Sequence, residues 1–334
     1  MKIIQDDVRL ATSTTEDTDW PVTNIQDAFP RNCWKAAQHV QSVSGASAIK
    51  LSVYDYYGGS NALYLGNTNA KTGTLSVQPF GGGTEIESKS ISFVSSSYFT
   101  WLTQRYLETF YEQWIDYTQQ SGSRTLVLSL TTDVVSDLTI TSGGTGYVAG
   151  TFTGTQAAGA VDSFFGSYTV DSSGTIDSVH IINAGTGVTN TTSDPVALVY
   201  SSATGSGANI TGESTLNLGI ARAGMANEFR NPVYGLKEGF IDYSIKKRFS
   251  TGAEFYKRRD IVRTFSGSIQ STIESDQTSL LQSIFKQSRQ ESMAFNLLTN
   301  ETRGILFGKL TALPSSTRGK LDQMTSSFSI EELL

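Results

Sequence analysis

From Thr125 to Ala221 the chain contains no Lys or Arg, while seven Asp or Glu lie in the same 97 residues. A cation-free run of that length does not belong to a uniform globular chain, so composition alone marks a separate middle module. Within it, LTITSGGTGY (138–147) and VHIINAGTGV (179–188) repeat one pattern 41 residues apart. Each runs β-prone residues into a small-polar turn ending Gly-Thr-Gly. FFGSYTVD, TIDSVHIIN and PVALVYSS read as further strands. Nearly every turn between them carries Gly, which reaches positive φ without a steric penalty.

A Gly-rich turn after a strand can cradle phosphate, so that reading needs a test. A P-loop requires a Lys on the phosphates and a helix behind the loop. A dinucleotide turn requires G-x-G-x-x-G between a strand and a helix. GGTGYVAG and AGTGVTNT have no Lys within reach and lead into β-prone sequence. An anion would meet acids and no cation, so these segments are expected to be turns.

The flanks carry a different balance. Net charge is −3 over residues 1–124, −7 over 125–221 and +4 over 222–334. The C-terminal excess is too small to indicate nucleic acid. The whole chain is 17% charged, against about 25% in an average domain. Gly, Ser and Thr fill the difference, which fits many short strands joined by tight turns. A length of 334 residues suggests two or three domains. No apolar run reaches the length of a membrane span, and the acidic start MKIIQDDVRLATSTTEDTDW is expected to be a mature N-terminus. A single Cys33 excludes an internal disulfide.

Strand readings follow from alternation. Ile49, Leu51 and Val53 alternate with Lys50, Ser52 and Tyr54, and Leu126, Leu128 and Leu130 share one face. Trp20 and Trp34 are expected to anchor a Pro-interrupted coil to a sheet. In GFIDYSIKKRFSTGAEFYKRRDIVRTFSGSIQS, two strands are expected before and two after the Ser-Thr-Gly turn at 250–252. Residues 273–290 predict a helix, with Ser275 as N-cap and Leu280, Leu281, Ile284 and Phe285 as its apolar face.

Residues 98–118 break the pattern with eight aromatics in 21 residues. Leu102, Tyr106, Phe110 and Trp114 recur every four residues, which describes a short amphipathic helix or helical loop. The segment packs on its parent sheet, forms a protein interface or makes a sugar platform. For the last two readings Trp101, Tyr106, Phe110, Tyr111 and Trp114 are the candidates.

Catalytic chemistry has few carriers. The two histidines, His39 and His180, read as structural or solvent-facing. One Cys and two His cannot make a structural zinc site, and no calcium-loop motif occurs. No acid pair stands out for glycoside chemistry. No catalytic residue, metal or cofactor is expected.

Several stretches carry a resemblance. The repeat S-G-G-T-G-Y … A-G-T-G resembles small β modules spliced into tail and fibre proteins of tailed bacteriophages. WPVTNIQD (20–27) with RNCWK (31–35) looks like the opening of discoidin-like β-sandwiches, and ASAIKLSVYDYYGGSNALYLG (46–66) is similar to their next strand pair. LNLGIARAG (216–224) and NPVYGLKEGFIDYS (231–244) resemble the closing strands. RRDIVRTF (258–265), the helix at 273–290 and SIEEL (329–333) are similar to phage proteins that pair such a sandwich with a second β domain near the tail tip. The aromatic segment 98–118 departs from that pattern.

The resemblance implies a mainly β chain of three parts. A discoidin-like sandwich would span 1–133 plus 214–245, an inserted Gly-rich β module 134–213, and a C-terminal β domain with one helix 246–334. It implies a non-enzymatic distal-tail or tail-tip component of the virion, assembled in the host cytoplasm. Its partners would be tube, tip and fibre proteins and other copies of itself in a trimeric or hexameric ring, with neither nucleic acid nor membrane. The alternative is an adsorption protein that binds host surface glycans, since discoidin-like sandwiches often do. A tail-associated glycan hydrolase is the third reading.

Overall fold

The computed structural model describes residues 1–6, 8–56, 58–93, 111–156, 159–189, 196–202, 204–229, 235–249, 254–257, 259, 261–272, 292–298, 304–311, 315–320 and 323–333. Among them the chain is mainly β, and every strand pairing is antiparallel. The helix expected over 273–290 lies outside the described residues. No described helix is long and apolar enough to cross a membrane.

Alternation builds the first two layers. Ile49–Val53 buries Ile49, Leu51 and Val53 and turns Lys50 outward. Arg124–Thr131 pairs with it and buries Leu126, Leu128 and Leu130. With Val8–Thr12, Thr72–Pro79, Glu87–Ser92 and Ser42–Val43 these strands form a six-stranded sheet. Its apolar face shares one core with Leu63, Leu65, Ile115, Leu218, Ala221 and Ala223 of a larger sheet. Each fully buried Leu or Ile in that core contributes roughly 1.5–3 kcal/mol. Trp34 closes it, fully buried, as an anchor should.

The larger sheet has eleven strands. Its main path runs Lys237–Asp242, Ile261–Thr272, Gln323–Glu332, Ile305–Leu310, Met293–Asn296, Lys2–Asp6, Asn217–Glu228, Ser60–Thr68, Tyr111–Gln120. The N-terminal strand Lys2–Asp6 therefore joins the sandwich half to the C-terminal half. Ile3 packs into the C-terminal core with Phe265, Phe295, Leu306 and Ile330. Ile4 faces the other way, toward Tyr64, Trp114, Ile220 and Phe307. The sheet runs unbroken past residue 245.

Residues 111–120 correct the reading of the aromatic segment. They form a strand, not a helix, paired with Ser60–Thr68. The four-residue spacing that suggested a helix coincides there with the two-residue alternation of a strand. Glu112, Trp114 and Asp116 fall on one face, while Ile115 and Tyr117 join the sandwich core.

The chain leaves the small sheet at Thr131 and enters the large sheet at Asn217. Between them a separate six-stranded sheet runs Asp137–Thr145, Ser206–Glu213, Val196–Tyr200, Gly150–Gln156, Gly159–Val170, Ile176–Asn183. It has its own core of Phe152, Phe164, Tyr168, Ile176, Val196 and Ile210. At its neck the amide of Val135 donates to the carbonyl of Ala184 and that of Val188 to Asp133, at 3.0 and 2.9 Å.

The two Gly-Thr-Gly segments share a backbone conformation but not a place: Gly144 and Thr145 end the strand Asp137–Thr145, paired with Ser206–Glu213, whereas residues 185–187 lie past the end of Ile176–Asn183. The first is therefore a strand end and not the turn expected. Gly144 and Gly185 hold φ of +65° and +66°. A Cβ on Gly144 would lie 2.5 Å from the Ala208 nitrogen and one on Gly185 2.7 Å from Phe164 Cβ. Positive φ and close approach both demand glycine there. Both segments lie in the stretch without Lys or Arg.

Candidate functional site

Of the five candidate platform residues, Trp114 is the one whose side chain lies among the described residues. Trp101, Tyr106 and Phe110 lie outside the described residues, and Tyr111 opens the strand Tyr111–Gln120. Trp114 is 7% exposed and packs with Ile4, Tyr64 and Phe307. Its indole N–H donates to the Asp116 carboxylate at 2.9 Å. Trp114 is therefore a core residue, and no sugar can stack on its ring.

Beside it lies a buried charge cluster. Arg263, 2% exposed, donates from Nε and Nη2 to Glu332 Oε1 at 3.0 and 2.6 Å. The same Nη2 meets Glu112 Oε2 at 3.1 Å, and the Tyr64 hydroxyl donates to Glu112 Oε1 at 3.2 Å. Strands Ile261–Thr272 and Tyr111–Gln120 have six strands between them in the sheet order. Side chains from both can meet only because the large sheet curls on itself, as strongly twisted sheets do. The cluster and the apolar residues around Trp114 fill the inside of that curl. Among the described residues, Arg263 is the cation that faces both carboxylates. Burial, reinforced by the Glu332 charge and opposed by Arg263, pushes Glu112 up to about 7. Burial likewise pushes Asp6 up against the opposing pull of Arg222. Arg222 is itself occupied with the carbonyls of Ile25, Gln26 and Asp27. These groups tie strands together.

Reactive groupings are scarce. Among the described residues no three His, Cys, Asp or Glu gather as a metal site. His39 stands at φ +66° with Nδ1 3.6 Å from Glu213 Oε2, bracing the neck of the inserted sheet. His180 is exposed on the outer side of a strand. Two shallow cavities of about 230 and 260 Å³ flank that neck. The larger is lined by Asp17, Asp137, Glu213, Trp20 and Lys35. The Lys35 ammonium lies 4.5 Å above the Trp20 ring and occupies the face a sugar would need.

Two exposed surfaces remain. At one end of the small sheet Tyr54, Tyr56 and Phe80 form a row with ring centroids 6.3 and 5.0 Å apart, and the Arg9 guanidinium lies 5.0 Å from the Tyr56 ring. The second surface is larger. Between Lys237–Asp242 and Ile261–Thr272 the chain forms a ribbon of Ile245–Arg248 with Glu254–Lys257, which among the described residues pairs only with itself. Every residue of both strands is exposed. Ile245, Phe249, Phe255 and Tyr256 stand out from it, with Phe240, Ile241 and Tyr243 at its base. The two strands expected on each side of residues 250–252 are present. Their exposure was not read from the sequence, although a run of aromatics among six cations was the available signal.

Comparison with protein-family models, with characterised proteins and with solved structures found no significant match.

Proposed function

We propose that this chain is a structural component of a bacteriophage tail, at the distal tail or tail tip, where it joins tube, tip and fibre proteins. The observation that carries the reading is the ribbon 245–257. Its aromatic and aliphatic side chains are left in water by their own chain, as expected of a segment that is buried only on assembly. The tail assignment itself comes from the sequence resemblance of the Gly-Thr-Gly module and of the flanking strands. Antiparallel sheets with a sparsely charged surface suit permanent contacts between many copies.

The test is direct. Phage particles produced from a genome carrying an epitope-tagged copy are purified and labelled with gold-conjugated antibody. Label at the tail end distal to the capsid is the expected result. Particles that are complete and infective without the polypeptide refute the reading.

The glycan-binding alternative keeps one specific support, in a new place. The row Tyr54, Tyr56 and Phe80 is exposed and lies beside Arg9, whereas Trp114 is buried. Aromatic faces with polar neighbours are what saccharide stacking uses. A glycan array comparing the unmodified protein with Tyr54→Ala/Tyr56→Ala separates the two. Signal lost in the variant supports adsorption; no signal from either protein removes it.

A further inference from the structure

The ribbon is where the chain keeps its positive excess. Residues 243–261 hold six Lys or Arg (Lys246, Lys247, Arg248, Lys257, Arg258, Arg259) against Glu254 and Asp260. The remainder of 222–334 holds ten Lys or Arg and ten Asp or Glu, so the ribbon alone accounts for the net +4. The opposite charge is equally concentrated. The stretch containing the inserted sheet carries seven acids and no cation.

Apolar surface matches as well. On the outer face of the inserted sheet, Thr153 pairs with Phe165 on one side and Val199 on the other. Phe165 is 39% and Val199 52% exposed, so an apolar row crosses three adjacent strands in register. Asp177 lies on the same side, where it accepts a hydrogen bond from Thr169. Ser167, Thr169 and Ser178 continue this face without Lys or Arg, and exposed His180 stands across from Ser167. One face of the ribbon presents the complement: Phe255 stands directly across from Lys247 and Ile245 across from Lys257, while Tyr256 and Lys246 fall on the opposite face.

We infer that the ribbon of one copy seats on the outer face of the inserted sheet of a second copy. The inference rests on the assembly reading above and gives it a partner and a contact. Within one chain both surfaces stay exposed, so neither satisfies the other. The two patches differ, which makes the contact heterologous. Repeated head to tail, such a contact closes into a ring or grows into a filament. Opposite fields bring the copies together and set the register, while Ile245, Phe255, Phe165 and Val199 supply the area removed from water.

The test uses the full chain and two charge-reversed variants. Lys247→Glu/Lys257→Glu turns the two cations of the seating face of the ribbon into acids with the inserted sheet unchanged. Asp177→Lys/Val199→Lys gives a positive inserted face with the ribbon unchanged. All four positions lie on exposed strand surface, and circular dichroism verifies folding. Lys247→Gln/Lys257→Gln is the milder substitute, expected to give a smaller loss. Association is read by light scattering and sedimentation velocity at low and high salt.

The unmodified protein should self-associate, and high salt should weaken it at least ~tenfold, because exposed charges are screened. Each reversed variant alone should behave as a monomer, since its two patches then carry the same sign. An equimolar mixture of the two variants should associate again, because each ribbon now meets an opposite face on the other protein. A protein that stays monomeric at every concentration overturns the inference. So does association unaffected by both reversals, or a mixture that fails to recover. These failures leave the tail assignment to the particle-labelling experiment, which does not depend on which surfaces meet.

Discussion

Replacing Glu112 by Gln should make the protein less sensitive to alkaline pH, and the structure gives the size. Glu112 and Glu332 share one cation, Arg263. In the folded chain burial holds the Glu112 proton up to about 7, against an ordinary value of 4.5. That difference corresponds to about 3 kcal/mol at ~1.4 kcal/mol per pH unit. The Glu112 side chain keeps 23% exposure, so solvent screening brings the figure to about 2 kcal/mol. The sign follows from linkage. The folded state binds the proton more tightly than the unfolded state, so the contribution is fully present below about 4.5 and is lost as pH rises through about 7. Gln has no proton to lose. It leaves Arg263 paired with Glu332 at 2.6 Å. The assay is hydrogen exchange of the amides in Tyr111–Gln120 at pH 5 and pH 8, with opening free energies compared after correction for intrinsic rates. The unmodified chain should lose about 2 kcal/mol of protection between the two, and Glu112→Gln much less. Equal losses in both proteins would show that Glu112 is ionised throughout and that the curl is less dry than its geometry indicates.

Removing Arg263 is the harsher change: Arg263→Met leaves Glu332, itself 3% exposed, without its cation. It should cost about 3–5 kcal/mol in urea unfolding, and Arg263→Met/Glu332→Leu should recover much of that, because a buried pair replaced by apolar groups is often neutral. Gly185→Ala adds a Cβ at φ +66° against Phe164. It should loosen the inserted sheet by about 1–3 kcal/mol, read as faster exchange confined to residues 137–213 with the sandwich unchanged. Trp114→Ala opens a cavity beside Tyr64 and Phe307. It should cost about 3–5 kcal/mol of stability and leave any glycan signal on the folded protein unaltered.

How much of this was legible in the sequence depends on how local the cause is. Leu126, Leu128 and Leu130 needed only alternation, because a half-buried strand repeats every second residue whatever it pairs with. The positive φ at Gly144 and Gly185 was legible for the same reason, since it is open to glycine whatever surrounds it. The element that carries Trp114 was not legible, because its spacing from Leu102, Tyr106 and Phe110 fits period four and period two alike. The partner that decides between them, Ser60–Thr68, is set by a pairing across some fifty residues. The Arg263–Glu112 contact spans 151 residues and exists only because an eleven-stranded sheet curls. No window of sequence contains that curl.

The ribbon shows a different kind of gap. Its strands were expected, but alternation cannot tell a strand whose apolar face meets its own core from one whose apolar face meets nothing. Charge can. Where Phe249, Phe255 and Tyr256 lie among six cations in a chain otherwise balanced on that side, a buried location would demand desolvating most of those cations at several kcal/mol each. Exposure is the cheaper state for an isolated chain. A contact with a face that carries Asp177 and no Lys or Arg makes it unnecessary, since it pairs the charges at the rim while covering the aromatics. The same composition that marks residues 125–221 as a separate module thus also explains why that module has no cation: any Lys or Arg on its outer face would repel the ribbon it is inferred to receive.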